Sequence, residues 1–294
     1  MSIELVVPDN VELTTLLNRL RELSWTAADV LMAYARGEQP PYGFPKYLTV
    51  EEGGDGPVSA ADLAVNELLM SSLKTKFPSA KWDILSEETS KEKISFGSQH
   101  KIDWCWILDP LDGTKDFLQG SENYAVHLAL AYQKQPRIGI VLIPEKEELW
   151  FGIIGSGSWC EDRNGNKKLF SFSQRKKISD LILVSSKNHH EAKLKNLLLK
   201  MSFSQANKIG SVGCKVASIL RGESDVYISL SGQTSPKDWD IAAPQVIIQA
   251  AGGSLSHADG TSLRYLNPDY LQSGCLIASH GISHQNICKK AMEY

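Results

Sequence analysis

The chain has 294 residues, of which 42% are hydrophobic and 22% charged, and its formal net charge is −3. These values are typical of a globular protein with a substantial core. The near balance of charge excludes the strongly basic surface that binds nucleic acid or anionic membranes. The five cysteines form no C-x-x-C pair, which argues against a disulfide framework or a structural zinc site and favours a reducing compartment.

The chain shows no sign of a targeting or membrane segment. Its first residues lack a basic stretch followed by an apolar run, and no stretch approaches about 18 consecutive apolar residues. We therefore expect neither a secretory signal nor a spanning helix, and a cytoplasmic or stromal-type soluble compartment.

The N-terminal part predicts two helices separated by a long irregular segment. Apolar residues recur at helical spacing over 10–36, with Asn10 as the candidate N-cap and Gly37 as the stop. Residues 37–58 are rich in Pro and Gly, and a loop of this length is often a functional flap. A second helix is predicted over 59–76.

Strands follow, and then strands alternate with helices. Runs rich in β-formers predict strands at 102–108, 124–132, 137–143 and 148–154. Further strands are predicted at 181–185, 225–230 and 275–279, with helices near 190–201, 214–221, 241–251 and at the C-terminus. This order predicts the α/β class, with an α+β half over 1–155 and an α/β half over 156–294.

Two carboxylates follow a predicted apolar strand in the run D-P-L-D-G-T, which starts at Asp109. Asp109 and Asp112 are spaced to bridge divalent cations, and the Leu111 carbonyl can point toward the same ions. The segment offers only oxygen ligands, as Mg²⁺ prefers. Gly113 and Thr114 would open a short helix whose free backbone N–H groups favour a phosphate. An ordinary Asp-rich turn would also explain the run.

Two other acidic motifs have equally plain explanations. Glu87-Glu88 follows a short apolar strand predicted at 82–85, and adjacent acids are usually solvated surface charge. Asp240 precedes the helix predicted from residue 241, where an aspartate usually acts as a cap. Capping and metal binding are compatible for Asp240, because one carboxylate oxygen can cap while the other binds a metal.

In this order and at these separations, the three motifs resemble those of the inositol-monophosphatase-like superfamily of Mg²⁺-dependent, lithium-sensitive phosphatases. The resemblance implies a layered αβαβα sandwich. It implies one Mg²⁺ held by Glu87, Asp109 and the Leu111 carbonyl, and a second held by Asp109, Asp112 and Asp240. A third ion would be held more weakly near Glu87 through water. The chemistry implied is metal-assisted hydrolysis of a phosphomonoester.

Finer details resemble the 3′(2′),5′-bisphosphate nucleotidases, which hydrolyse adenosine 3′,5′-bisphosphate to AMP and phosphate. Residues 55–62 are similar to the nucleotidase pattern D-x-P-V-T/S-x-A-D, so Asp55 inherits a role in activating the attacking water. Thr114 would orient that water, and the backbone at Gly113 and Thr114 would receive the phosphate. Purely structural roles would also explain these residues, namely a turn for Asp55 and a capping box for Ser59-x-x-Asp62.

The same resemblance implies substrate contacts. Lys115 lies in a G-T-K-x-F segment like that of the nucleotidases, and Ser211 and Lys215 lie in a segment similar to G-S-x-x-L-K. His189 ends a segment similar to S-R-S-H. Many nucleotidases also carry an arginine at the place that here reads 228–230, Ile-Ser-Leu, so this nucleotide contact is missing.

The substrate is therefore expected to be a small phosphorylated molecule, with no nucleic-acid or membrane partner. The favoured substrate is a nucleotide bisphosphate, and its sulfated form is expected as a further substrate. An inositol or sugar phosphate phosphatase on the same scaffold is the alternative, and a non-catalytic metal- or phosphate-binding homologue is the second alternative. The sequence leaves the oligomeric state open.

Overall fold

Helices cover both faces of two β-sheets, in the order helix, sheet, helix, sheet, helix. The computed structural model describes residues 7–53, 56–94, 103–187, 192–231 and 235–293. Within these ranges the helices are α1 (Leu13–Ala35), α2 (Ala60–Lys76), α3 (Glu87–Ile94), α4 (Thr114–Leu118), α5 (Ala192–Met201), α6 (Val212–Leu220), α7 (Asp238–Ala250) and α8 (His284–Met292). None of them is long and apolar enough to cross a bilayer.

Among the described residues, the larger sheet has seven strands in the order of the chain, and all of its pairs are antiparallel except β3 with β4. Its strands are β3 (Asp83–Ser86), β4 (Trp104–Asp112), β5 (Ala125–Tyr132), β6 (Gln135–Ile143), β7 (Glu148–Ile153), β8 (Gly157–Glu161) and β9 (Lys167–Lys168). This sheet ends at Lys168, and the division of the chain at residue 155 stays a prediction.

The second sheet, in the part of the chain that the structure describes, has five strands in the order β11-β10-β12-β14-β13, with β10 parallel to both of its neighbours. Its strands are β10 (Ile182–Ser185), β11 (Gln205–Lys208), β12 (Val226–Leu230), β13 (Ser254–His257) and β14 (Cys275–Ser279). A separate antiparallel hairpin pairs β1 (Val50–Gly53) with β2 (Gly56–Ser59).

Alternation along the strands divides the buried side chains between the layers. On β4, Trp106 and Leu108 belong to the core shared with α1 and α2, whereas Cys105 and Ile107 belong to the core shared with α6 and α7. The outer face of the second sheet, including Ile277, packs with residues of α5 and α8. The five layers confirm the predicted αβαβα sandwich.

Helix α7 lies unusually close to the larger sheet, and this closeness fixes its N-terminus near the end of β4. A Cβ atom at Gly139 would lie 2.7 Å from the Val246 Cβ, and one at Gly152 would lie 2.7 Å from the Ile247 Cα. Real Cβ atoms do not approach other atoms so closely, so only glycine allows this contact. The sheet and α7 therefore form one rigid support for the residues at their ends.

Most predicted elements are confirmed within one to three residues, and the differences have local causes. Helix α1 is capped by Glu12 rather than Asn10, because the Glu12 carboxylate accepts from the backbone N–H groups of Thr14 and Thr15. Asn10 instead adopts a positive φ of 64°. The segment 37–58, predicted to be irregular throughout, contains β1 and most of β2.

Candidate metal centre

Three carboxylates from two elements meet between the sheet and α7. Asp109 and Asp112 end β4, Asp240 lies in the first turn of α7, and one oxygen from each lies within 4.8 Å of the others. Side chains three residues apart in a regular strand point to opposite faces. The pairing of β4 with β5 shifts its register between Asp109 and Asp112, and this irregularity lets both carboxylates reach the same cluster.

Asp109 is the most buried member of the cluster, with 1% of its surface exposed. Its Oδ1 accepts the backbone N–H of Leu111 at 3.0 Å, whereas its Oδ2 is buried and has no hydrogen-bond partner among the described residues. Burial, reinforced by the charge of Glu87, raises the pKa of Asp109 well above its usual value. An unpartnered buried carboxylate oxygen is costly, and a bound cation would remove that cost.

Asp112 is held by the start of α6. Its Oδ2 accepts the Ser211 hydroxyl at 2.6 Å, the Val212 backbone N–H at 2.5 Å and the Gly213 backbone N–H at 3.2 Å. The free N–H groups and the dipole of a helix N-terminus stabilise a carboxylate in this place. Ser211, predicted as a substrate contact, is therefore brought to a predicted metal ligand.

Asp240 is not the N-cap that the sequence predicted, because α7 begins at Asp238, but one of its oxygens still caps the helix. It is the third residue of α7, and its Oδ2 accepts the Lys237 backbone N–H at 2.7 Å. The same carboxylate belongs to the cluster with Asp109 and Asp112. Burial, with a contribution from Asp112, raises the pKa of Asp240 to about 7.

Glu87 lies at the junction of β3 and α3 and belongs to the same acidic environment. Burial raises its pKa well above the usual value, and the charges of Asp240, Glu88, Asp62 and Asp112 act in the same direction. Repulsion between these carboxylates is relieved when a cation binds, because the ion supplies the positive charge that they lack.

The Thr114 hydroxyl contacts Asp62, which ends the nucleotidase-like segment 55–62 and for which the sequence offered a capping box as the alternative explanation. Its Oγ1 lies 2.9 Å from Asp62 Oδ1 and 3.1 Å from the Leu111 carbonyl oxygen. Asp62 Oδ2 meanwhile accepts the backbone N–H and the hydroxyl of Ser59, which closes the predicted capping box. The cap therefore uses Oδ2 of Asp62, and Oδ1 is left to accept the hydrogen bond from Thr114.

The proposed phosphate-binding backbone begins at a residue in the left-handed conformation. Gly113 caps α4 with φ = 98°, and a Cβ there would lie 3.0 Å from the Asn123 carbonyl oxygen. Glycine is required by both the conformation and the space. Thr114 follows as the first residue of α4, and the Lys115 side chain is exposed beside it.

Lys215 is turned inward rather than toward solvent. Only 2% of its surface is exposed, its Nζ donates to the Gly210 carbonyl, and the same atom lies 5.2 Å from the centre of the Tyr227 ring. Burial lowers its pKa. Asp55 and His189, also predicted as site residues, lie outside the described residues.

These residues fit a divalent cation. The donors are all oxygens, as hard cations require, and the unpartnered Asp109 Oδ2 is one of them. Asp112 and Asp240 complete the described group, while Leu111 offers its carbonyl and Glu87 a fourth carboxylate. Without a cation the negative charges of these carboxylates repel one another. A bound cation would be held by them and would remove that repulsion.

The raised pKa of Asp240 predicts how pH affects the metal-free protein. The folded group titrates near pH 7 and the unfolded group near 3.8, so between these values the folded state binds more protons. The free energy of unfolding should therefore fall as pH rises from about 4 to about 7, and the loss should persist at higher pH. Mg²⁺ should restore stability at pH 8.

Thermal melts at pH 5 and pH 8, each with a chelator or with MgCl₂, measure this effect. Comparison with Asp240→Asn separates the contribution of Asp240 from those of other titrating groups, because the variant should show a smaller loss. An equal pH dependence in the wild type and the variant would contradict the prediction.

A family model described as "Inositol monophosphatase family" matches residues 12–294 of this chain. The 3′(2′),5′-bisphosphate nucleotidase CysQ of Escherichia coli is 28% identical over 263 residues, which cover 87% of this chain and 98% of that protein. The inositol-1-monophosphatase of Mesorhizobium japonicum is also 28% identical, over 267 residues that cover 88% and 91% of the two chains.

Solved structures share the fold at lower identity. An IMPase/NADP phosphatase complexed with NADP and Ca²⁺ superposes with a TM-score of 0.76 at 20% identity, covering 96% of both chains. An inositol monophosphatase from Anabaena gives a TM-score of 0.71 at 22% identity, covering 96% of this chain and 97% of the other. At these identities the likeness concerns the fold alone.

Proposed function

This chain belongs to the inositol monophosphatase family, and on that premise we propose that it is a Mg²⁺-dependent phosphatase removing the 3′-phosphate of adenosine 3′,5′-bisphosphate. The observation that carries the hydrolytic part is the group of Asp109, Asp112 and Asp240, together with the unpartnered Asp109 Oδ2. Glu87 and the Leu111 carbonyl complete the proposed ligand set, for two to three ions.

Bound Mg²⁺ would supply an acidified water and neutralise charge on the phosphoryl group. The chain's own contribution begins at Thr114. The Thr114 hydroxyl donates a hydrogen bond to Asp62 Oδ1, so the lone pairs of Thr114 Oγ1 are left to orient a water molecule. Burial raises the pKa of Asp62, which makes its carboxylate a better proton acceptor. The proton-accepting role predicted for Asp55 is thus proposed for Asp62.

The substrate assignment is supported by similarity and by placement. CysQ, which matches most of this chain, is named a 3′(2′),5′-bisphosphate nucleotidase. Lys115 is exposed on α4, next to the proposed phosphate-binding backbone at Gly113 and Thr114. Lys187, from another segment of the chain, has its Nζ 3.3 Å from Oδ1 of Asp116 in the same helix. Two cationic side chains beside α4 suit a substrate with two phosphates.

Three further residues are proposed for the substrate site, each for a different reason: Ser211, Lys215 and His189. Ser211 would act through Asp112, to which its hydroxyl donates. Lys215 would contact the substrate only after its amine leaves the Gly210 carbonyl. The role of His189 rests on the sequence resemblance.

One assay tests the proposal: phosphate release with Mg²⁺ from adenosine 3′,5′-bisphosphate, inositol 1-phosphate and fructose 1,6-bisphosphate at equal concentrations. We expect the highest kcat/KM for the nucleotide and loss of that preference in Lys115→Ala. A preference for inositol 1-phosphate would overturn the substrate assignment but keep the hydrolytic one. Absence of release from all three would favour a non-catalytic homologue.

An inositol or sugar phosphate phosphatase is the second candidate. It is favoured by the equally similar inositol-1-monophosphatase of Mesorhizobium japonicum. The inward orientation of Lys215 also favours it, because a buried amine is not available to a second phosphate in this conformation.

A further inference from the structure

A fully buried histidine lies between the two elements that supply the metal-binding carboxylates. His127 is on β5, directly opposite Asp109 of β4, and has 0% of its surface exposed. Its Nδ1 lies 3.3 Å from the Trp239 carbonyl oxygen, and its Nε2 lies 3.3 Å from Asp112 Oδ2. One ring therefore contacts a carboxylate from the strand and the residue that precedes Asp240 in the helix.

The donor and the acceptor can be assigned for the contact between His127 and Trp239. A carbonyl oxygen can only accept, so the His127 Nδ1–H donates to Trp239. At the opposite edge of the ring, Nε2 has no hydrogen-bond partner among the described residues and packs against the Asp112 carboxylate at 3.3 Å. It also packs against the start of α6, since a Cβ atom at Gly213 would lie only 2.3 Å from His127 Nε2. The helix that donates to Asp112 thus rests on the same ring.

A space-filling role does not explain this choice of residue. The side chains on the same face of β5 are alanines, namely Ala125, Ala129 and Ala131, and they belong to the apolar core shared with α6 and α7. His127 is the large polar side chain in that row. It occurs where β4 changes register and where the two carboxylate-bearing segments come together.

We infer that His127 is a positioning residue, which holds Asp112 and the Trp239–Asp240 backbone at the separation that a divalent cation needs. This inference rests on the proposed function, because it takes Asp112 and Asp240 as metal ligands. Groups that orient metal ligands commonly change metal affinity by roughly 10- to 100-fold when they are removed. His127 should therefore affect metal affinity more than substrate affinity.

The test compares His127→Phe with His280→Phe. His280 is also buried, with 3% exposed, but its Nε2 faces Asp225 at 3.8 Å and its Nδ1 accepts the Ile282 backbone N–H. Both variants exchange a buried imidazole for a phenyl ring, so both should lower the melting temperature. Mg²⁺ affinity, measured by isothermal titration calorimetry, should weaken by roughly tenfold or more only in His127→Phe.

A second variant keeps the test decisive if His127→Phe does not fold. His127→Gln retains an N–H group for the Trp239 carbonyl, so its Mg²⁺ affinity should lie between those of the wild type and His127→Phe. In turnover assays both His127 variants should need more Mg²⁺ for half-maximal rate, with little change in the KM for the substrate at saturating Mg²⁺.

The outcomes separate this inference from the proposed function. Equal Mg²⁺ affinity in the wild type and both His127 variants would overturn the inference, even if the wild type hydrolyses the nucleotide. Weakened Mg²⁺ binding in the His127 variants of a protein that releases no phosphate would uphold the inference and overturn the function. A wild type that does not bind Mg²⁺ at millimolar concentration would overturn both.

Discussion

Asp112→Asn should lower kcat by about two to four orders of magnitude while leaving the protein folded. A metal ion contributes several kcal/mol to transition-state stabilisation, and each 1.4 kcal/mol or so corresponds to a tenfold change in rate. Asparagine keeps the shape of the side chain but removes the charge that Asp109, Asp112 and Asp240 share. A cation would then be held by fewer charges and in the wrong place.

The fold should tolerate Asp112→Asn because the contacts at the start of α6 can persist. The amide oxygen of asparagine can still accept from the Ser211 hydroxyl and the Val212 backbone N–H, which now donate to Asp112 Oδ2. Removing one negative charge also reduces the repulsion acting on Asp109 and Glu87. The metal-free melting temperature should therefore be unchanged or higher.

Steady-state kinetics across a range of Mg²⁺ concentrations and thermal melts check this prediction. Asp103→Asn is the matched control, since Asp103 is exposed and lies just before the opposite end of β4. That variant should keep wild-type turnover. Near-normal kcat in Asp112→Asn would show that the carboxylate cluster is not the catalytic metal centre.

The sequence predicted those parts of the site that lie in one short segment. Asp109 and Asp112 are read directly from an apolar strand followed by D-P-L-D-G-T, and the structure places both at the end of β4. Strand β14 was predicted with the observed limits, 275–279. In such cases the local pattern and the tertiary environment favour the same structure.

Contacts between distant segments could not be predicted in this way. The ring of His127 meets Trp239 across 112 positions of sequence, and an isolated histidine in an apolar strand gives no indication of what it will touch. The hairpin of β1 and β2 was missed because its Gly- and Pro-rich sequence lacks the composition of a strand. Only its backbone pairing reveals it.

For Lys215, the apolar sequence around it predicted burial, but the family resemblance favoured a role in binding the substrate. Every residue of α6 is buried, from Val212 to Leu220, and a helix that is apolar all round is expected in a core. The lysine in the middle of that helix was predicted to bind phosphate through resemblance. The pattern of its neighbours already indicated that its side chain would lie inside the protein.

Asp62→Asn should lower kcat by roughly 10²- to 10⁴-fold, the usual contribution of a positioned proton acceptor. Asparagine can still cap α2, because its amide oxygen can accept the Ser59 backbone N–H that now donates to Asp62 Oδ2 at 2.8 Å. The stability loss should therefore stay at or below about 1 kcal/mol. Mg²⁺ affinity should change far less than in Asp112→Asn, since Asp62 is outside the carboxylate group described above.

A double-mutant cycle with Thr114→Val distinguishes a proton-accepting pair from two independent residues. If Asp62 acts through the Thr114 hydroxyl, 2.9 Å away, each single variant should lose a similar factor in kcat and the double variant should lose little more. Thr114→Ser, which keeps the hydroxyl, should retain most of the rate. Losses that multiply in the double variant would show that Asp62 and Thr114 act separately, and would return the proton-accepting role to another residue, with Asp55 as the first to test.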